Sequence, residues 1–149
     1  MNAASPLVGI VPVRATAVHP VWAEVAPSAE RGGFKRSEFT DPDEMDANFL
    51  RLLFKARQIA GVPFRIVSSA RDPEGSVGAS LSAHKKRPCR AVDLHVANNY
   101  ERACVLIAAV QVGIVRIGIY PAKDDNSGSV HLDAETHPEN PSPRCWTRY

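Results

Sequence analysis

The sequence predicts an α+β fold, a small, mostly antiparallel sheet packed with two main helices. Three observations lead there. Two stretches carry helix signals, four short stretches read as strands, and their order suits an α+β domain. That order is helix, strand, long loop, strand, helix, strand, hairpin-like loop, strand. Twelve prolines and nine glycines add that the core is small, with much irregular chain around it.

Residues 1–33 hold Pro6, Pro12, Pro20 and Pro27. Repeated proline forbids both a long helix and a central strand, so an extended arm is expected here, lending one edge strand from pieces such as Val8-Gly9-Ile10-Val11. The domain proper is expected over 34–149. Asp41-Pro42-Asp43-Glu44 reads as a turn or N-terminal cap region. Phe49, Leu52, Leu53, Ala56, Ile59 and Ala60 then recur at helical spacing until Gly61 and Pro63 stop the helix. Residues 64–68 read as a strand, 69–81 as a Gly/Ser/Pro-rich loop and 91–96 as a second strand. Asn98-Asn99-Tyr100-Glu101 resembles a capping box with Asn as the cap, opening a helix to about Val112 that Gly113 ends. A third strand follows at 114–120, a loop at 121–128 and a fourth strand at 129–134. The tail contains Pro138, Pro141 and Pro143 and closes on Cys145-Trp146-Thr147-Arg148-Tyr149, an aromatic ending expected to be pinned by packing.

Composition limits the function. A chain of 149 residues suits one domain, and 44% apolar with 23% charged residues is ordinary globular composition. No apolar run approaches the ~20 residues of a membrane span. A formal charge of +2 is too small to point to nucleic acid as the main partner. Cys89, Cys104 and Cys145 cannot pair completely and share no C-x-x-C spacing. Met1-Asn2-Ala3-Ala4-Ser5-Pro6 has no positive n-region, and Gly9 and Pro12 interrupt the apolar stretch that follows, so no signal peptide is expected.

The histidines carry the chemistry. His19 and His137 fall in the irregular ends, whereas His84, His95 and His131 fall on or beside strands. Asp93 and His95 are two apart on the second strand, and His131 and Asp133 two apart on the fourth, so each pair shares a face. Side by side, those strands gather two Asp and two His, with His84 arriving from the loop. Three N/O ligands plus a water form an open catalytic zinc site. Spacing leaves open whether the set is His/Asp/His or three His. The ordinary alternative is that polar residues simply alternate onto the solvent face of a half-buried strand.

Ser82-Ala83-His84, with Asp93 following in Arg90-Ala91-Val92-Asp93-Leu94, resembles the S-x-H-x-x-G-x-A-x-D signature of the zinc D-alanyl-D-alanine carboxypeptidase family, which includes phage L-alanyl-D-glutamate endolysins. Phe34-Lys35-Arg36-Ser37-Glu38-Phe39, Glu44-Met45-Asp46 and Val62-Pro63-Phe64 resemble that family's lead-in, and Ser68-Ser69-Ala70-Arg71 its S-G-x-R turn. Val112-Gly113-Ile114-Val115-Arg116-Ile117-Gly118-Ile119, Val130-His131-Leu132-Asp133 and the closing Cys145-Trp146-Thr147-Arg148-Tyr149 resemble its short phage-type members. The resemblance spans about residues 34–149, with two departures. Eight residues, Lys85 to Val92, separate His84 from Asp93 where the family usually has six. Gly128 stands where many members carry a Glu base, three residues before the last His.

The resemblance implies a Hedgehog/DD-peptidase-like fold and a zinc ion (Zn2+) held by His84, Asp93 and His131. Asp133 is the first candidate for the catalytic base, its alternative being to orient His131; His95 is the other candidate. Arg71 would stabilise an oxyanion or bind a substrate carboxylate. Ser82 would support the loop on the substrate side, and Trp146 with Tyr149 would wall the cleft. The implied activity is that of a bacteriolytic hydrolase, a zinc metallopeptidase cutting a peptidoglycan stem peptide. L-Ala-D-Glu endopeptidase activity suits the phage-type ending; D-Ala-D-Ala carboxypeptidase activity or a non-catalytic zinc-binding module are the alternatives. Such an endolysin would be a monomer with no membrane span and no specific nucleic acid partner, made in the host bacterial cytoplasm and released to the cell wall. Lys85-Lys86-Arg87-Pro88-Cys89-Arg90 offers four charges that could attract a polyanion, or simply be a solvated loop. Cys89 within that run could have a depressed thiol pKa, without an assigned role.

Overall fold

The computed structural model describes residues 20–28, 32–76, 78, 82–122, 126–136 and 141–148. They form α1 (Val21–Glu24), α2 (Ala47–Ala60), β1 (Arg65–Ser68), β2 (Ala91–Val96), α3 (Asn99–Gln111), β3 (Arg116–Pro121), β4 (Gly128–Asp133) and β5 (Arg144–Thr147). Short 3-10 turns lie at Arg36–Glu38, Pro42–Glu44 and Ala83–Lys85. The architecture is α+β, as expected: one five-stranded sheet in the order β1-β2-β4-β3-β5, antiparallel except where β5 joins β3.

The cap of helix α2, Asp46, lies two residues beyond the predicted cap region. Asp41 to Glu44 makes a 3-10 turn, and Asp46, with extended backbone, accepts from the Phe49 N–H at 2.8 Å. Its buried stripe is Phe49, Leu50, Leu53 and Ala56; Ile59 turns out 51% exposed. Gly61, at φ 62°, closes the helix in the left-handed conformation that glycine tolerates best. Helix α3 uses half of the predicted box. Asn98 accepts from the Glu101 N–H, but Glu101 accepts from Ala97 and pairs with Arg65, tying the helix start to β1.

Alternation divides the sheet into two faces. Val92, Leu94, Val96, Val130, Leu132 and Ile117 join one buried apolar cluster with Phe49, Leu50, Leu53, Val105 and Ala108 of the helices. The opposite face carries Asp93, His131 and Asp133. Register pairs Asp93 with His131, His131 with Gly118, and Gly118 with Trp146, so these four residues form one row across four strands.

Two predicted features differ. The expected arm includes one helical turn, α1, whose Val21 and Trp22 are buried, and Val25 bonds to Phe34 through its carbonyl at 2.8 Å. Trp22 and Phe34 meet Phe39 edge-on, so Val21, Trp22 and Val25 of this segment belong to the core. Proline limits the length of such a helix but does not stop a short apolar turn from docking. The expected edge strand at 8–11 lies outside the described residues. The tail is pinned by more than packing: Arg144 N–H bonds to Val115 O and Arg148 N–H to Ile119 O, making β5 an edge strand. Among the described residues no helix is long and apolar enough to cross a membrane.

Candidate metal centre

Asp93 and His131 face each other across β2 and β4, and a loop brings His84 to them. That loop is firmly held. His84 O accepts from the Arg71 N–H at 2.8 Å, and Lys85 Nζ donates to Gly75 O at 2.6 Å. Arg87 donates to the carbonyls of Arg71, His84 and Lys86 and pairs with Glu44 at 3.2 Å, while Arg90 pairs with Asp46 at 3.3 Å. The basic run is therefore neither a solvated loop nor a free polyanion surface, because three of its four charges anchor backbone or carboxylates. The longer segment after His84 costs the site no order.

Three ligand atoms converge. His84 Nε2 lies 3.1 Å from His131 Nδ1, His131 Nδ1 lies 2.9 Å from Asp93 Oδ1, and His84 Nε2 lies 3.3 Å from Asp93 Oδ1. Each imidazole has its other nitrogen committed. His84 Nδ1 faces only the Ser69 carbonyl, at 2.6 Å, so that nitrogen carries the proton. His131 Nε2 faces the Asp133 carboxylate at 2.8 Å and donates to it. In the neutral rings, two nitrogen lone pairs then point at each other and at a carboxylate oxygen. Only a cation or a shared proton relieves that arrangement. Ligands ~2.0–2.1 Å from a tetrahedral ion stand about 3.3 Å apart, close to the observed spacings. His84, Asp93 and His131 can thus hold a metal ion.

Electrostatics agree. Burial pushes the Asp93 carboxyl up, but hydrogen bonds and charge from His131 and His84 hold it well below the usual carboxylate range. Burial pulls His131 down, yet Asp133 and Asp93 raise it above the ordinary imidazole value. Protonated His131 therefore stabilises the metal-free fold fully below the unfolded value of 6.5, and this contribution is lost as pH rises through the raised folded value. Ionised Asp93 contributes above its unfolded 3.8 and is lost as pH falls through its lowered folded value. Metal-free protein is expected to melt at a lower temperature at pH 8 than at pH 6. Excess zinc should raise the melting temperature more at pH 8, because the ion needs deprotonated ligands. Thermal melts at both pH values, with chelator and with zinc, check this.

Asp133 does not reach the ligand atoms. Its carboxylate is buried behind His131, where Oδ1 accepts from Arg116 Nε at 2.7 Å and from the Glu135 N–H at 3.0 Å. Oδ2 is taken by His131, so the imidazole lies between Asp133 and the ligand atoms. Of the two roles the sequence leaves to Asp133, base or support for His131, this geometry fits the orienting one. Burial raises Asp133, but His131, the Glu135 N–H and Arg116 keep its carboxyl below the usual range. His95 is not brought in; it is exposed and pairs with Ser129, two residues along the strand.

An open cavity of about 660 Å³ lies over the triad, lined among others by Arg71, Ser82, Glu135 and Trp146. Arg71 donates through Nη2 to Asp93 Oδ2 at 2.8 Å and through Nε to Ser68. Trp146 tilts against His131 with ring centroids 5.5 Å apart and donates to the Tyr120 hydroxyl at 2.8 Å. Gly118 makes room for it, since a Cβ there would meet Trp146 Cε2 at 2.7 Å. Gly128 has φ +146°, and a Cβ would stand 2.3 Å from Tyr120 O, so no Glu fits that position. Cys89 is buried, and burial pushes its thiol up to about 11, opposite to the depression its basic neighbours suggest. His19, His137 and Tyr149 lie outside the described residues.

Sequence reasoning assigned no role to Arg116, which clamps Asp133, or to Glu135 and Tyr120. Arg116 was detectable: in antiparallel register it stands directly opposite Asp133. No family model, curated protein or solved structure matches the chain. The fold and site define an α+β protein with a buried His–Asp–His triad, fit for a metal ion, at the floor of an open cleft.

Proposed function

We propose that the chain is a zinc-dependent peptidase that hydrolyses a bond in the peptidoglycan stem peptide, as an endopeptidase. The observation that carries this reading is the convergence of two imidazole lone pairs and a carboxylate oxygen at the floor of an open cleft, with both outward ring protons already bonded. Two nitrogens, one oxygen and no thiolate suit zinc, and the motif resemblance supplies the substrate class. Zinc held there would supply Lewis acidity at the scissile carbonyl and acidify a water in its open position.

The chain's own residues do the rest. Asp133 and the Ser69 carbonyl fix the tautomers and ring orientations of His131 and His84. Arg71, with one arm on Asp93, lines the cavity where a substrate oxygen would lie and can donate to it. Of the carboxylates described along the cavity, Asp93 is a ligand and Asp133 is spent, which leaves Glu135 to accept a proton. Burial raises the Glu135 carboxyl from its ordinary value against the pull of Arg90, the direction a base working near neutral pH requires.

Digestion of purified cell wall, followed by mass spectrometry of the released fragments, tests this reading. Zinc-loaded protein should release stem-peptide fragments, a chelator should stop it, zinc should restore it, and Glu135→Gln should bind zinc but cleave at least ~10²-fold more slowly. The second reading, a non-catalytic metal-binding module, is favoured by the absence of room for Glu at position 128. Stable zinc binding without cleavage under any of these conditions would establish it instead.

A further inference from the structure

The cleft wall across from Asp93 carries a hydroxyl that the metal centre does not use. Alternation sets Arg116, Gly118 and Tyr120 on the cleft face of β3, while Ile117 and Ile119 turn to the apolar cluster. Tyr120 pairs with Ser129, one dipeptide, about 6.6 Å, along the strand from Gly118 and the ligand row. Its phenol reaches back over that distance. The hydroxyl meets Trp146 Nε1 at 2.8 Å, and the same nitrogen would stand 2.8 Å from a Cβ on Gly118, the register partner of His131. Arg71 holds the other end of the row, beside Asp93.

Hydrogen-bond polarity decides what this hydroxyl can do. An indole nitrogen only donates, so Trp146 occupies a lone pair of the phenol oxygen and leaves the phenol proton unspent. No acceptor among the described residues takes that proton, and Tyr120 lines the open cavity over the triad. The indole is itself held in place. It tilts against His131, Arg144 lies over its ring at 5.5 Å, and Gly118 leaves it room. The rotor of the hydroxyl is thus set by Trp146 before any ligand arrives.

We propose that the Tyr120 hydroxyl donates a hydrogen bond to an oxyanion seated over the ligand row, the charge that a peptide carbonyl oxygen acquires under attack by water. Trp146 is its positioning residue. The proposal rests on the peptidase reading and adds to it a group that touches the reacting oxygen from the side opposite Arg71. The phenol keeps its proton throughout, so no bond to it forms or breaks. A donor fixed in advance needs no reorganisation when the charge develops, and removing one such donor costs about 10²–10³-fold in turnover.

Binding of dimethylphosphinate, a small tetrahedral oxyanion, to zinc-loaded protein tests it without turnover. Imidazole is the neutral competitor that needs no oxyanion donor, and phosphorus NMR follows both titrations. Tyr120→Phe keeps the ring and removes the hydroxyl. It should weaken the phosphinate about tenfold or more, the scale of a hydrogen bond to a charged group, and leave imidazole and zinc affinity within about twofold. Trp146→Phe should cost part of that, and adding it to Tyr120→Phe should cost little further, because the indole acts through the hydroxyl. Turnover of stem peptide by Tyr120→Phe should fall about 10²-fold in kcat with KM little changed. Phosphinate affinity that is absent from the unaltered protein, or that survives in Tyr120→Phe, overturns the proposal. An equal loss of phosphinate, imidazole and zinc marks a structural role and overturns it too. Fully additive losses overturn the part given to Trp146. Undiminished kcat in Tyr120→Phe overturns the proposal while leaving the peptidase reading in place. Tyr120-dependent phosphinate binding without cleavage upholds the oxyanion site and removes that reading.

Discussion

Replacing His131 by Ala is expected to abolish tight zinc binding and with it hydrolysis. Losing a group that merely orients a ligand costs about 10–100-fold in metal affinity, and losing the ligand itself exceeds that. His84→Ala and Asp93→Ala should behave alike, because each removes one of the three atoms that meet at 2.9–3.3 Å. The effect is readable without any substrate. Zinc at a hundred times its dissociation constant stabilises the protein by about 2.7 kcal/mol, which for a chain of this size raises the melting temperature by about 5–10 °C. The three variants should lose that rise. A zinc-dependent rise retained in all three would move the metal elsewhere.

Asp133 should produce the largest loss of stability. It is 1% exposed, and its two oxygens serve Arg116, the Glu135 N–H and His131. Asp133→Ala leaves the buried Arg116 guanidinium without this partner, and breaking such a pair costs about 3–5 kcal/mol. Asp133→Asn keeps the shape and should cost less, but it weakens the hold on the His131 proton, so zinc affinity should fall about 10–100-fold. Urea unfolding of metal-free protein and competitive zinc titration separate the two effects. Undiminished zinc affinity in Asp133→Asn would remove the orienting role.

The contrast between these residues shows what was legible in the sequence. Period-two alternation placed Asp93 and His131 on strands, and the antiparallel register then made them direct partners. Asp133 was equally legible as a neighbour of His131. Which nitrogen it meets was not, because that depends on how Ser69, Asp93 and His84 turn the two rings. Strand β5 was hidden for a different reason. It has four residues following Pro143, its hydrogen bonds run to β3, and its Trp146 fits only because Gly118 lies opposite. The run from Lys85 to Arg90 read as surface charge because carbonyl acceptors for Lys85 and Arg87 leave no mark in side-chain patterns. Cys89 followed the same logic, since local basic neighbours suggested a lowered thiol while its complete burial raises it.

The proposed zinc site requires His84, Asp93 and His131 to bind one ion together. X-ray absorption at the zinc edge, on protein loaded with one equivalent, tests it most directly. The expected spectrum has nitrogen and oxygen neighbours at about 2.0–2.1 Å, with the outer-shell scattering of two imidazoles and no sulfur at ~2.3 Å. A sulfur shell, a single imidazole, or zinc that washes out of the unaltered protein would contradict it.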